Sequence, residues 1–202
     1  MRTVGLTVVL AWAAAAANEQ FFPPASLGDT PSEHQFVSDW YSRQLTALHE
    51  PSLWQESLRN PVAEVYRFLY LRSFDHPIAV RLTVTADQSG LLTAKETNGQ
   101  GGYRPGRLIR NTTVRLSKQD TQWFRDRLDL DEVAYWNLPS RQKAAKDMIT
   151  VDGAQWIVEG AKDGHYKIVD RTSPHDDDPI HWIGIDLMIR LANFRLLYQD
   201  VY

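Results

Sequence analysis

The stretch Val151–Pro174, VDGAQWIVEGAKDGHYKIVDRTSP, is where strand pattern, turn residues and cross-strand pairing coincide. Ala154–Ala161 and His165–Arg171 are two strand-like runs. Lys162-Asp163-Gly164 between them is turn material with a glycine suited to positive φ. Loop length then decides the register. A two-residue loop would set Trp156 against Arg171 and Glu159 against Ile168, mixing polar and apolar groups. A three-residue loop closed by Gly164 as a bulge sets Val158 against Ile168, Ile157 against Val169 and Glu159 against Lys167. The second register is the expectation: Trp156, Val158, Gly160, Tyr166 and Ile168 on one face, the Glu159–Lys167 pair on the other.

A second hairpin lies upstream. Ile78–Ala86 alternates, with Ile78, Val80, Leu82 and Val84 inward, and a loop Gln88-Ser89-Gly90 would pair Val84 with Ala94 and Thr83 with Lys95. Before it, Ala63–Ser73 is apolar on both faces, the pattern of a central strand covered on both sides. Arg107–Leu116 reads as one more strand. Helices are marked by their caps. Thr30, Pro31 and Glu33 open a helix to about His49 with Phe36, Val37, Trp40, Tyr41, Leu45 and Leu48 as its stripe. Ser52–Arg59 is a short second helix, and Ser117 with Asp120 opens a third bearing Trp123, Phe124 and Leu128. Val133, Trp136 and Leu138 close over the core, and Arg141–Asp147 reads as a solvated loop. Asp178 and Pro179 open a last helix running to about Tyr198, with Asp186 and Arg190 paired on its outer face.

At the other end, Met1-Arg2-Thr3, the uncharged apolar run Val4–Ala14 and Ala15-Ala16-Ala17 have the layout of a secretory signal peptide. The apolar run is well short of the ~20 residues a bilayer span needs. Cleavage after Ala17 would leave 185 residues and remove Arg2, moving the formal net charge from −3 to −4. A chain this long can bury roughly 70% of its unfolded surface without covalent staples. With export and no cysteine, it fits a bacterial envelope better than a disulfide-rich module. The expected organisation is a signal peptide at 1–17, an extended lead-in at 18–29 and a single α+β domain at 30–202. That domain is an antiparallel sheet of about five or six hairpin-connected strands with amphipathic helices on its apolar face.

Chemistry is harder to find. There is no cysteine nucleophile, no Gly-x-Ser-x-Gly elbow and no HExxH, since Pro51 follows His49-Glu50. Asn98–Gly106 (NGQGGYRPG) is glycine-rich, but it lacks both the helix that follows a dinucleotide loop and the Gly-Lys-Ser/Thr of a P-loop. It reads instead as a mobile connection or binding loop. His175-Asp176-Asp177-Asp178 with His181 contains metal-ligand types, yet consecutive side chains diverge, and capping of the last helix explains the acids better. Arg104, Arg107, Arg110, Arg115, Lys118, Arg125 and Arg127 form a locally basic run that could meet an anionic glycan. Export, the acidic balance and the interleaved Asp120 and Asp126 argue against nucleic acid.

The candidate binding residues are therefore Trp156, Glu159, Tyr166 and Arg171 on the hairpin and Tyr103 and Arg104 in the glycine-rich loop. Burial of Trp156 and Tyr166, with Glu159 and Arg171 on the opposite sheet face, is the competing reading. No catalytic residue, metal or cofactor is assigned. Asp152-Gly153, Trp156, Glu159-Gly160, Asp163-Gly164, Tyr166 and Arg171-Thr172-Ser173-Pro174 resemble the signature of a family of uncharacterised exported proteins of Gram-negative bacteria. The similarity extends over Tyr66–Phe74 and Gly99–Gly106, about two-thirds of the mature chain. It implies a periplasmic or secreted location and brings no activity with it. The function expected is a binding or interaction module for a protein or envelope component, not membrane-spanning once the signal is cleaved. The alternative is an envelope hydrolase using dispersed Asp, Glu and His.

Overall fold

In the computed structural model the residues described are 20–129, 134–141, 153–196 and 201. The signal-peptide reading of 1–17, Val133, positions 142–152 and the end of the last helix near Tyr198 lie outside them.

Six strands form one antiparallel sheet: β1 (Glu64–Arg72), β2 (Ile78–Val84), β3 (Gly90–Thr97), β4 (Leu108–Leu116), β5 (Ala154–Lys162) and β6 (His165–Thr172), ordered β4-β3-β2-β1-β5-β6. Among the described residues there are four α-helices, α1 (Pro31–Ala47), α2 (Leu53–Arg59), α3 (Lys118–Asp129) and α4 (Pro179–Ile185), the last continuing as a π-helical turn over Asp186–Leu191. The α+β antiparallel architecture is thus the one the hairpins imply.

β1 is central and buried along its length, because both of its faces are apolar and both are covered. Tyr66, Phe68 and Tyr70 join Trp156, Val158, Phe124, Ile183 and Leu187 in a core under α3 and α4. Leu69 and Leu71 join Tyr41, Leu45, Leu48, Ile157 and Ile168 in a second core under α1. Helices on both faces are a correction to the one-faced layout expected. So is the lead-in: Phe21, Phe22 and Leu27 are buried in the second core, and the segment is turn-rich rather than extended.

Capping proceeds as the sequence indicates. Thr30 Oγ1 accepts from the Glu33 N–H, Ser52 Oγ from Gln55, Ser117 Oγ from Asp120 and Asp178 Oδ1 from Ile180. Of the α1 stripe, Tyr41, Leu45 and Leu48 are buried, whereas Phe36 is 68% exposed. Asp186 is buried and pairs with Arg127 at 3.1 Å, so it does not form the outer-face pair with Arg190. Arg190 instead lies 3.6 Å from the centre of the Trp123 ring.

Both hairpin registers differ from expectation. In β5–β6 the loop is two residues, Asp163 (φ 51°) and Gly164 (φ 76°), and Lys162 pairs with His165. Two successive positive φ angles are what a type I′ Asp-Gly turn requires, and its twist suits the flanking strands. Trp156 therefore faces Arg171, Val158 faces Val169 and Glu159 faces Ile168. A one-residue shift exchanges faces, so Tyr166 and Ile168 lie with Glu159 and not with Trp156. In β2–β3 the shift is even and the faces survive. Val80 pairs with Ala94 and Val84 with Gly90, around a longer loop in which Asp87 Oδ1 accepts from Thr85 Oγ1 (2.6 Å) and Ser89 Oγ (2.8 Å).

Candidate functional site

Glu159 is tolerated in the second core because β1 places Arg67 directly opposite it. Both side chains are fully buried. Arg67 donates to Glu159 Oε2 from Nε at 2.8 Å and again from Nη2, while its Nη1 donates to the Pro51 carbonyl at 2.6 Å. Tyr166 donates its hydroxyl to the other oxygen, Oε1, at 2.7 Å. Glu50 enters from the end of α1, where His49 adopts φ 53°. It pairs with Arg81 at 2.9 Å, Lys95 at 2.8 Å and Arg67 at 3.4 Å. Burial alone would raise the Glu50 carboxyl, but the Arg67, Arg81 and Lys95 charges outweigh it and hold it below the usual range. Burial first, and then the Glu159 charge, push the Tyr166 hydroxyl well above its ordinary value. These groups are locked to one another, an arrangement that specifies a packing.

The hairpin candidates are thereby divided. Trp156 is in the first core, its ring centre 4.8 Å from that of Tyr70 and 5.1 Å from that of His181. Arg171, on the same face, donates to Asp178 at 3.1 Å and to the Pro139 carbonyl at 2.9 Å, tying β6 to the start of α4. Glu159 and Tyr166 lie on the opposite face. The pairing of Glu159 with Arg171 on one face and Trp156 with Tyr166 on the other is corrected by the register. Gly160 and the Asp163-Gly164 pair carry the framework. A Cβ on Gly160 would come within 2.8 Å of the Tyr135 ring, and Asp163-Gly164 forms the turn.

Tyr103 and Arg104 lie elsewhere, in a loop that is held down despite its glycines. The Gly101 carbonyl accepts from Trp40 Nε1 at 2.7 Å and Gln44 Nε2 at 2.9 Å, and its N–H donates to Asp75. A Cβ on Gly101 would meet the Leu71–Arg72 backbone within 2.7 Å. Composition marks this loop as mobile, but here glycine serves close approach of two backbones. On the anchored loop Tyr103 stacks on Phe74, with ring centres 5.8 Å apart and 28° between planes, and the two side chains remain 58% and 51% exposed. Phe74 went unnoticed in the sequence. Its signal is an aromatic in the turn after β1, where no core is available to take it.

Four of the seven residues of the basic run make separate contacts. Arg115 pairs with Asp87, Arg125 with Glu64 and Arg127 with Asp186, and Arg110 lies 3.9 Å from the centre of the Phe194 ring. Among the described residues no group of three His, Cys, Asp or Glu side chains could hold a metal ion. Asp178 is engaged by the α4 cap and Arg171, as the capping reading requires.

A cleft of about 630 Å³ straddles the outer edge of β6. Tyr166–Ile168 line it, with Pro23 and Ser26 of the lead-in on one side and Trp136 and Ser140 on the other. The Asp170 N–H points away from β5, donating to the Ser140 carbonyl at 2.8 Å, and Arg141 makes a parallel bridge to Asp170. Backbone groups alternate along a strand, so those of Ile168 and Tyr166 also face outward, into this cleft.

Compared with protein-family models, curated proteins and solved structures, the chain finds no match in any of the three.

Proposed function

We propose that this chain is an exported, non-catalytic binding module, periplasmic or secreted, that engages a protein or glycan of the cell envelope through the glycine-rich loop. The observation that carries the reading is the Phe74–Tyr103 stack: two aromatic rings more than half exposed, on a loop pinned by Trp40, Gln44 and Asp75. Rigid aromatics offer large contact area at low cost in side-chain entropy, which favours them as anchors. Arg104 beside Tyr103 adds a charged donor at the same surface. Among the described residues the acids with raised carboxyls, Asp170 and Asp186, are covered by Tyr41 and Arg127 and are not presented to a substrate. The test is photo-crosslinking from position 104 in the living host. An adduct with an envelope component that disappears in the Phe74→Ala/Tyr103→Ala variant supports the reading. An adduct indifferent to that change, or none, overturns it.

A further inference from the structure

We infer that the β6 edge is a second binding site, one that takes an extended peptide by strand addition in the cleft between the lead-in and Trp136. The floor of that cleft is backbone. Ile168 and Tyr166 present outward N–H and C=O groups two residues apart, a repeat of about 6.6 Å that matches the spacing of a β-strand. Among the described residues nothing pairs with these groups.

The molecule itself shows that the edge accepts a strand. Ser140 and Arg141 already occupy the next position of the ladder, through the Asp170 N–H and the parallel bridge. That internal strand cannot be extended along β6 toward Tyr166. The residue before Ser140 is Pro139, which has no N–H to give, and the Leu138 N–H turns back to the Tyr135 carbonyl at 3.2 Å. The ladder therefore stops where the cleft begins, and the cleft is within the size range of ligand sites.

Its walls define the occupant. Pro23 and Trp136 flank the open edge with apolar surface, while the rim carries both signs, Lys167 and His165 against Asp129 and Asp163. An extended peptide without strong net charge, with an apolar side chain to lie against Trp136, fits this mixture. The site needs no displacement of the buried Glu159–Tyr166 pair, because it uses main-chain groups of β6. Tyr166 is partly exposed and Ile168 only 3%, so the main-chain groups of Ile168 lie at the floor of the cleft, and with two such residues specificity has to come from the side chain at Trp136 and affinity is modest.

The test uses the mature chain against a phage-displayed random dodecapeptide library, followed by synthetic copies of enriched peptides. Amide spectra of the labelled protein locate binding. The expected result is saturable shifts centred on the Tyr166 and Ile168 amides and the Trp136 indole. N-methylation of alternate peptide nitrogens should weaken binding about tenfold or more in one phase, and the opposite phase should matter little. No enrichment above background overturns the proposal. Shifts centred on Phe74 and Tyr103, or binding indifferent to N-methylation in both phases, also overturn it, and the former would leave the proposed function intact.

Discussion

Arg67 and Glu159 face each other across β1 and β5 with both side chains removed from water, and they hold the two halves of the sheet in one register. Arg81 lies opposite Arg67 on its other side, a like-charge neighbour made tolerable by Glu50, which contacts both. Taking one member from such a set leaves an uncompensated buried charge. Arg67→Met should cost about 3–5 kcal/mol and Glu159→Leu a similar amount, with the double substitution recovering a large part of the sum. Urea denaturation of the four proteins measures this. Additive losses would show that the two residues are not energetically coupled.

Asp170 predicts the pH dependence. Its carboxyl is pushed up to about 6, chiefly by burial, against the lowering influence of the Tyr41 hydroxyl at 2.9 Å and of Arg141 and Arg171. An acid whose folded value lies above its unfolded value near 3.9 favours the protonated native state. Its contribution is thus present below pH ~4 and is lost as pH rises through 6. Asp170→Asn keeps an acceptor for Tyr41 and removes the titration. Relative to the parent it should gain about 1–3 kcal/mol at pH 8 and nothing near pH 4. A difference that does not change with pH would refute the assignment.

Two glycines separate steric from backbone demands. At Gly164 (φ 76°) an added Cβ meets nothing closer than Pro61 at 3.7 Å, so Gly164→Ala measures left-handed backbone strain alone, about 1 kcal/mol. At Gly184 a Cβ would lie 2.7 Å from the Phe68 ring and 2.8 Å from Trp156. Both rings are fixed in the core. Gly184→Ala should therefore cost more, about 1–3 kcal/mol, and disturb the near-ultraviolet signal of Trp156. Equal losses at the two positions would contradict this division.

β1 was legible as a central strand because its apolar residues fall on both faces, and α1, α2 and α3 were legible from Thr30, Ser52 and Ser117. The β5–β6 register was not. Cross-strand polarity argued for pairing Glu159 with Lys167, but the partner that makes Glu159 tolerable, Arg67, is 92 residues away and on another strand. Only the Asp-Gly pair announced the two-residue turn. The expected register puts Trp156 and Tyr166 on one face, whereas the observed one sends them to different cores. Tyr103 is marked as a binding candidate by its place in the glycine-rich loop, but its stacking partner Phe74 comes from a distant turn.

The acidic cluster before α4 supplies the last prediction. Asp178 Oδ1 accepts from the Ile180 N–H at 2.8 Å while Oδ2 meets Arg171 at 3.1 Å, so one carboxylate caps the helix and anchors β6. Asn can cap but cannot neutralise Arg171. Asp178→Asn should lose the ion pair alone, and Asp178→Ala should lose both interactions, a further ~1 kcal/mol. His175 and Asp177 bond to each other at the surface, and His181 lies 3.5 Å from Asp176, an arrangement with no common centre for an ion. EDTA should therefore leave the melting temperature of the parent unchanged. A fall of several degrees on chelation, reversed by zinc, would make the cluster a metal site and displace the capping account of Asp178.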